Sequence, residues 1–159
     1  MGSSTMTKPA TDVIRCLAGK TLCTAESCTG GMIGAALTAV SGASNVYKGG
    51  IVSYTNEVKR KLLGVDADLL DREGAVSASV AQAMAVGARM ALAADIAVSV
   101  TGLAGPGGDE FGNPVGTVFI GYADEKNATV RHFLFEGDRE SVRSQAVEEA
   151  LKLILEQNR

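Results

Sequence analysis

The chain of 159 residues has no tryptophan, a single histidine (His132), three prolines and three cysteines. Each shortage closes off a class of function. Aromatic residues make up only 4% of the sequence, too few for the stacking platforms that hold single-stranded nucleic acid. Positive charge offers no substitute: 15 Lys and Arg stand against 18 Asp and Glu, a net charge of −3, so the basic footprint of a nucleic-acid binder is missing. Cys16, Cys23 and Cys28 form an odd set without C-x-x-C spacing, which speaks against a disulfide scaffold. With one histidine a Cys/His zinc site is not expected, and no other metal site is either. No run approaches the ~18 consecutive apolar residues of a membrane span. The opening Met-Gly-Ser-Ser-Thr-Met lacks the basic-then-apolar order of a signal peptide. The expectation is a cytoplasmic protein with reduced thiols that engages neither nucleic acid nor membrane. Residues 1–8 read as a vector-derived or unstructured tail with Met6 as the natural start, and 9–159 as one domain.

What the sequence has in excess is glycine, 19 residues, well above the usual ~7%. Such an excess fits tight turns and close approach of backbone to a ligand. Apolar spacing predicts a first helix from about Pro9 to Ala18 and a short buried strand over 21–25. A helix opened by Gly30-Gly31 follows, carried by Ile33, Ala36, Leu37 and Val40 and stopping near Ser41-Gly42. Ile51 to Tyr54 reads as a strand, with Asn56 capping a short helix that ends at Leu63. A further helix is expected over 79–93, a doubly covered strand over 96–100, and a glycine-rich loop from Gly102 to Pro114. Two adjacent strands, 115–122 and 129–135, precede a last helix from about Asp138. Helices alternating with strands imply a single-domain α/β sandwich, with a mostly parallel, mixed central sheet and an antiparallel pair at one side.

The densest chemical signal is Glu26-Ser27-Cys28-Thr29-Gly30-Gly31, between a strand and a helix. A serine there lies beside main-chain N–H groups able to hold an oxyanion or a phosphate. The plainer alternative is that Ser27 or Thr29 only caps the helix. The segment is not G-x-S-x-G, and no GxxxxGK[ST] occurs, so neither an α/β-hydrolase elbow nor a P-loop is implied. A serine nucleophile needs a base. His132 lies in an alternating strand and reads as an ordinary core or surface residue, which leaves a desolvated lysine. At roughly 100° per residue, Val58, Leu62 and Leu63 define an inward direction, and Lys59 lies roughly 40° from it. Arg60 and Lys61 point elsewhere. Tyr54, just before, is placed to offer a hydroxyl between serine and lysine, or simply to pack. Cys28 is the rival nucleophile.

Thr101-Gly102-Leu103-Ala104-Gly105 follows a buried strand at its carboxyl end, where open α/β sheets bind ligands. It lacks G-x-G-x-x-G order and so implies no dinucleotide. Asp109 and Glu110 are two adjacent acids on a glycine loop and read as solvated rather than as metal ligands. Arg139 and Arg143 lie one turn apart at the start of the last helix, available to an anionic group or to Asp138, Glu136 and Glu140.

Taken in order, T-A-E-S-C-T-G-G, G-G-I-V-S-Y-T-N-E-V-K, L-L-G-V, G-A-V-S, T-G-L-A-G-P-G-G, P-V-G-T-V and G-D-R-E-S-V-R resemble the CinA C-terminal-domain family. The likeness runs from about Asp12 onward. The family's catalytic members are nicotinamide-nucleotide amidases, also called NMN deamidases or PncC. The resemblance implies a three-layer α/β/α sandwich and a homodimer or higher homo-oligomer. It also implies hydrolysis of the carboxamide of nicotinamide mononucleotide (NMN), without metal or cofactor, by a serine nucleophile, a lysine base and a nearby tyrosine. Those roles fall on Ser27, Lys59 and Tyr54. For the substrate the expected contacts are Thr29, Gly30, Gly31, Thr101, Gly102, Gly105 and Arg139, the last preferred over Arg143 for the phosphate. Longer relatives carry a preceding nucleotide-pyrophosphatase domain for which this chain has no room. The alternative is a non-catalytic interaction module of the same fold, tied to competence or DNA damage.

Overall fold

The computed structural model describes residues 2–159, with side chains from Thr7 onward. Most of the tail expected over 1–8, Met6 included, falls outside the residues with described side chains. Five strands form one mixed sheet: β1 (Leu22–Glu26), β2 (Tyr47–Val52), β3 (Ile96–Gly102), β4 (Thr117–Ala123) and β5 (Ala128–Leu134), in the order β2-β1-β3-β4-β5. β1 pairs in parallel with both β2 and β3. β4 and β5 extend the sheet antiparallel, the pair expected at one side. Among the described residues six α-helices accompany it: α1 (Gly2–Cys16), α2 (Met32–Thr38), α3 (Asn56–Leu63), α4 (Ala67–Glu73), α5 (Ala78–Leu92) and α6 (Arg139–Asn158). No helix among the described residues is long and apolar enough to cross a membrane.

The two faces of the sheet are packed differently. Leu22, Ile96, Val98, Val100, Val118, Ile120 and Tyr122 meet α1, α2 and α6 in the larger core. On the other face the same strands present Cys23, Ala25, Ala97 and Ala123 to α5, whose Ala85 and Ala88 lie against them. Small residues on both sides bring that helix close to the strands, and Ser99 Oγ donates to Ala81 O at 2.6 Å; just ahead of the helix, Thr101 Oγ1 donates to Ala75 O at 2.8 Å. The approach extends to α3, where a Cβ added at Gly87 would overlap the Leu63 carbonyl oxygen. Gly87 is the residue that lets the two helices touch.

Several boundaries differ from the sequence expectation. α1 begins before Pro9 rather than at it, and the Lys8–Asp12 ion pair of 3.0 Å spans the proline. β2 starts at Tyr47 and ends at Val52, so Tyr54 lies in the following loop and not on the strand. The reason is that Tyr47 to Val52 pairs with β1, while Ser53 N–H donates to Glu26 O beyond the ladder. Thr55, not Asn56, caps α3, its Oγ1 accepting from Val58 N at 3.3 Å. α4 was not foreseen; its cap is Asp66, which accepts from Asp68 N.

Candidate active site

Ser27 stands one residue beyond the carboxyl end of β1, where its N–H still donates to Val100 O at 2.9 Å. The turn that follows is closed by Gly30 N–H donating to Ser27 O at 3.1 Å, with Gly30 and Gly31 both at positive φ (56° and 105°). Glycine adopts that conformation without the Cβ clash other residues meet. Beneath the turn lies Glu26, 2% exposed. Its Oε1 accepts from Thr29 Oγ1 (2.7 Å) and Ile33 N (2.9 Å), and its Oε2 from Gly34 N (3.0 Å). The first turn of α2 is therefore capped by Glu26, and neither Ser27 nor Thr29 caps it.

Lys59 is 1% exposed and shares the inward face of α3 with Leu63. Leu62, expected to point inward, is 55% exposed; the inward direction passes closer to Lys59 than the spacing predicted. Lys59 Nζ lies 3.1 Å from Ser27 Oγ and donates to Ser53 O (2.8 Å) and, more weakly, to Tyr54 O (3.4 Å). No carboxylate joins it among the described residues. Burial pulls its pKa down from 10.5 to about 8. A neutral amine has two N–H groups and one lone pair. Two carbonyls that can only accept take the N–H groups, which turns the lone pair to the Ser27 hydroxyl.

Tyr54 contributes through its carbonyl. The residue is 61% exposed and its hydroxyl meets Arg139 Nη2 at 3.4 Å, so it does not stand between Ser27 and Lys59 as expected. Cys28 is buried, and that burial pushes its thiol up to about 11, far from a thiolate at neutral pH.

A pocket of about 300 Å³ opens over these atoms, lined by Ser27, Cys28, Tyr54, Lys59, Asn56 and Arg139, with Thr101, Gly102 and Gly105 along the glycine-rich loop. Thr29, Gly30 and Gly31 do not line it: the Thr29 hydroxyl is spent on Glu26, and the two glycines shape the turn. Arg139 reaches across the pocket mouth to Gly105 O and Tyr54 Oη. Arg143 instead turns inward, Nε to Cys28 O (2.9 Å) and Nη2 to Thr29 O (3.4 Å). Asp109 accepts from Phe111 N, Asn113 N and Asn113 Nδ2 and so shapes its own loop. Sequence reasoning missed the capping role of Glu26, the place of Asn56 in the pocket lining and the bracing by Arg143. Only the last had a signal, a second arginine at helical spacing beside Arg139.

The family model for the CinA C-terminal domain matches residues 7–158. A CinA-like protein of Citrifermentans bemidjiense is 54% identical over 126 residues, which is 79% of this chain and 30% of that protein. One from Mycolicibacterium paratuberculosis is 47% identical over 147 residues, 89% of this chain and 34% of that protein. The chain thus spans about a third of the length of these curated relatives. Among solved structures, the competence damage-inducible protein A (ComA) of Klebsiella pneumoniae superposes with a TM-score of 0.93 at 38% identity, covering 96% of each chain. The competence/damage inducible protein CihA of Agrobacterium tumefaciens gives 0.94 at 38% identity, covering 97% of this chain and 96% of that one.

Proposed function

The chain belongs to the CinA C-terminal domain family, and on that footing we propose that it hydrolyses the carboxamide of NMN to nicotinate mononucleotide and ammonia. Ser27 is the nucleophile and Lys59 the base. One observation carries the reading: a lysine amine buried without an anion, 3.1 Å from a serine hydroxyl, under a pocket of about 300 Å³. A charge buried without a partner opposes folding. A purely structural or protein-binding role gives that arrangement no purpose, whereas an amidase needs it.

In acylation the Ser27 proton passes to Lys59 Nζ while Oγ bonds to the carboxamide carbon. The oxyanion turns to the main-chain N–H of Cys28, a residue that lines the pocket and whose N–H donates to no other main-chain group among the described residues. The hole expected at Thr29-Gly30-Gly31 is thereby shifted to Cys28, because Thr29 is buried away from the pocket and Gly30 N–H is committed to Ser27 O. Collapse breaks the C–N bond, and Lys59 returns its proton to the leaving nitrogen, which departs as ammonia. Water then attacks the acyl-serine with Lys59 again as base, releasing the carboxylate product. Tyr54 steadies Arg139, and Arg139 with the loop from Gly102 to Gly105 receives the phosphate and ribose. Assembly as a homodimer or higher homo-oligomer belongs to the same proposal and is checked by sedimentation velocity.

The test is ammonia release from NMN by purified protein. Activity that disappears in Ser27→Ala and in Lys59→Met supports the reading. No release by the wild type, or full activity in Ser27→Ala, overturns it.

A further inference from the structure

A second concavity, a groove of about 980 Å³, lies between α1, α2 and α6. That volume falls at the upper end of the ~300–1,000 Å³ of small-molecule sites. Its floor is apolar: Ile14 of α1, Met32 and Ala36 of α2, Val40 just beyond it, and Val147 of α6. Met32, Ala36 and Val40 pack against the larger core and remain half-buried. Positive charge joins this floor from Arg15, Arg139 and Arg143, none of which forms an ion pair among the described residues. Against them stands one carboxylate among the described lining residues, Glu140. A guanidinium carries five N–H donors. Arg143 spends two on the carbonyls of Cys28 and Thr29, and Arg139 two on Gly105 O and Tyr54 Oη. Both therefore keep donors for a further acceptor. Arg139 is also the one described residue that lines this groove and the Ser27 pocket alike.

From this lining we propose that the groove is a ligand site for a small amphipathic anion, a carboxylate, sulfonate or phosphate on an aryl or alkyl body, whose binding governs the Ser27 pocket through Arg139. The body covers the apolar floor, and the head group takes the N–H donors that Arg139 and Arg143 have left. An anion held there draws on the guanidinium that receives the substrate's phosphate, so the two ligands weaken each other, by the same factor in both directions. The binding stands on the groove alone, and the coupling rests on the NMN reading above. A concavity walled by three helices suits a small molecule. A second protein surface laid over it leaves that volume unfilled.

The probe is 8-anilinonaphthalene-1-sulfonate (ANS), an aryl body with one anionic group, titrated into the intact protein and followed by fluorescence and calorimetry. A single saturable site per chain is expected. Ala35→Trp sets an indole into the groove from an exposed position on α2 and should abolish binding. Arg15→Glu and Arg139→Ala should each weaken it about tenfold, the worth of one charge-assisted contact. Arg15→Glu carries the test should Ala35→Trp not fold. In Ser27→Ala, which cannot turn over, NMN should weaken ANS severalfold and ANS should weaken NMN equally. No saturable site, or full affinity in both Ala35→Trp and Arg15→Glu, overturns the inference. So does a sedimenting dimer that Ala35→Trp splits into monomers, since a second copy then covers the groove. NMN that binds without changing the affinity for ANS overturns the coupling through Arg139. A protein that holds ANS in the groove but ignores NMN removes the proposed substrate and leaves the ligand site standing.

Discussion

Glu26 and Lys59 are buried alike, at 2% and 1% exposure, on either side of the same serine, and neither forms an ion pair among the described residues. Their surroundings differ in what is left over. Glu26 meets three donors, the Thr29 hydroxyl and two N–H groups of α2, and its oxygens are occupied in holding the turn. Lys59 meets two carbonyls and a hydroxyl, and its neutral form has one lone pair that only the hydroxyl can use. A buried polar group whose capacity is fully consumed is framework. One with a single remaining valence aimed at a nucleophile is chemistry.

The contrast breaks most sharply at Lys59. Lys59→Met should lower ammonia release by about 10²–10⁴, the usual contribution of a positioned base. The variant should nevertheless be no less stable at pH 7 in a thermal melt. A lysine moved from 10.5 to about 8 opposes folding by roughly 3 kcal/mol while charged, and its removal offsets the donors lost to two carbonyls. Unfolding of Lys59→Met would erase the distinction between the two residues.

Glu26→Ala should do the opposite, costing about 2–5 kcal/mol by chemical denaturation because three buried donors lose their acceptor. Activity should fall with it. Glu26→Gln, of the same size, should recover part of the stability, since its carbonyl replaces one oxygen. A Glu26→Ala protein of full stability but no activity would move Glu26 to the chemical side.

Arg139 comes next. A charge-assisted contact is worth about 1.5–3 kcal/mol, so Arg139→Ala should weaken kcat/KM for NMN by roughly one to two orders of magnitude. The riboside should be spared. Equal losses on both would assign Arg139 to the bracing of Gly105 and Tyr54.

The smallest effect is a slope with pH. Lys59 is depressed in the fold, so the unfolded chain binds more protons between about 8 and 10.5 and stability rises with pH across that window. Below about 8 the full penalty applies; above 10.5 it is gone. Lys59→Met should flatten the slope. Turnover should climb through about pH 8 as the amine loses its proton, and a profile level from pH 6 to 9 would deny Lys59 the role of base.

Much of this was legible because local rules and tertiary structure agree. Strand and helix periods marked all five strands and five of the six helices, and the helical angle singled out Lys59 from Lys59-Arg60-Lys61. α4 escaped because its seven residues hold too few apolar positions for a period to show. Tyr54 was misplaced because a strand's end is set by its partner: the ladder with β1 runs out at Val52. Glu26 stood in the densest signal, but its role in capping α2 could not be read. A carboxylate that caps a helix from the preceding strand, seven and eight residues before the N–H groups it serves, leaves no spacing signature.

Gly87 lies outside the pocket and meets none of its lining residues' chemistry, yet it governs how the site is allowed to drift over generations. Any side chain there must displace the Leu63 carbonyl, and Leu63 closes the same short helix that presents Lys59 one turn earlier. Pushing that helix outward lengthens the gap between amine and serine. A library of random variants screened for lost amidase activity should therefore return position 87 alongside 27 and 59. A screen for lost expression alone should rank it far lower, so the pair of screens would expose a constraint on heredity that no ligand contact reveals.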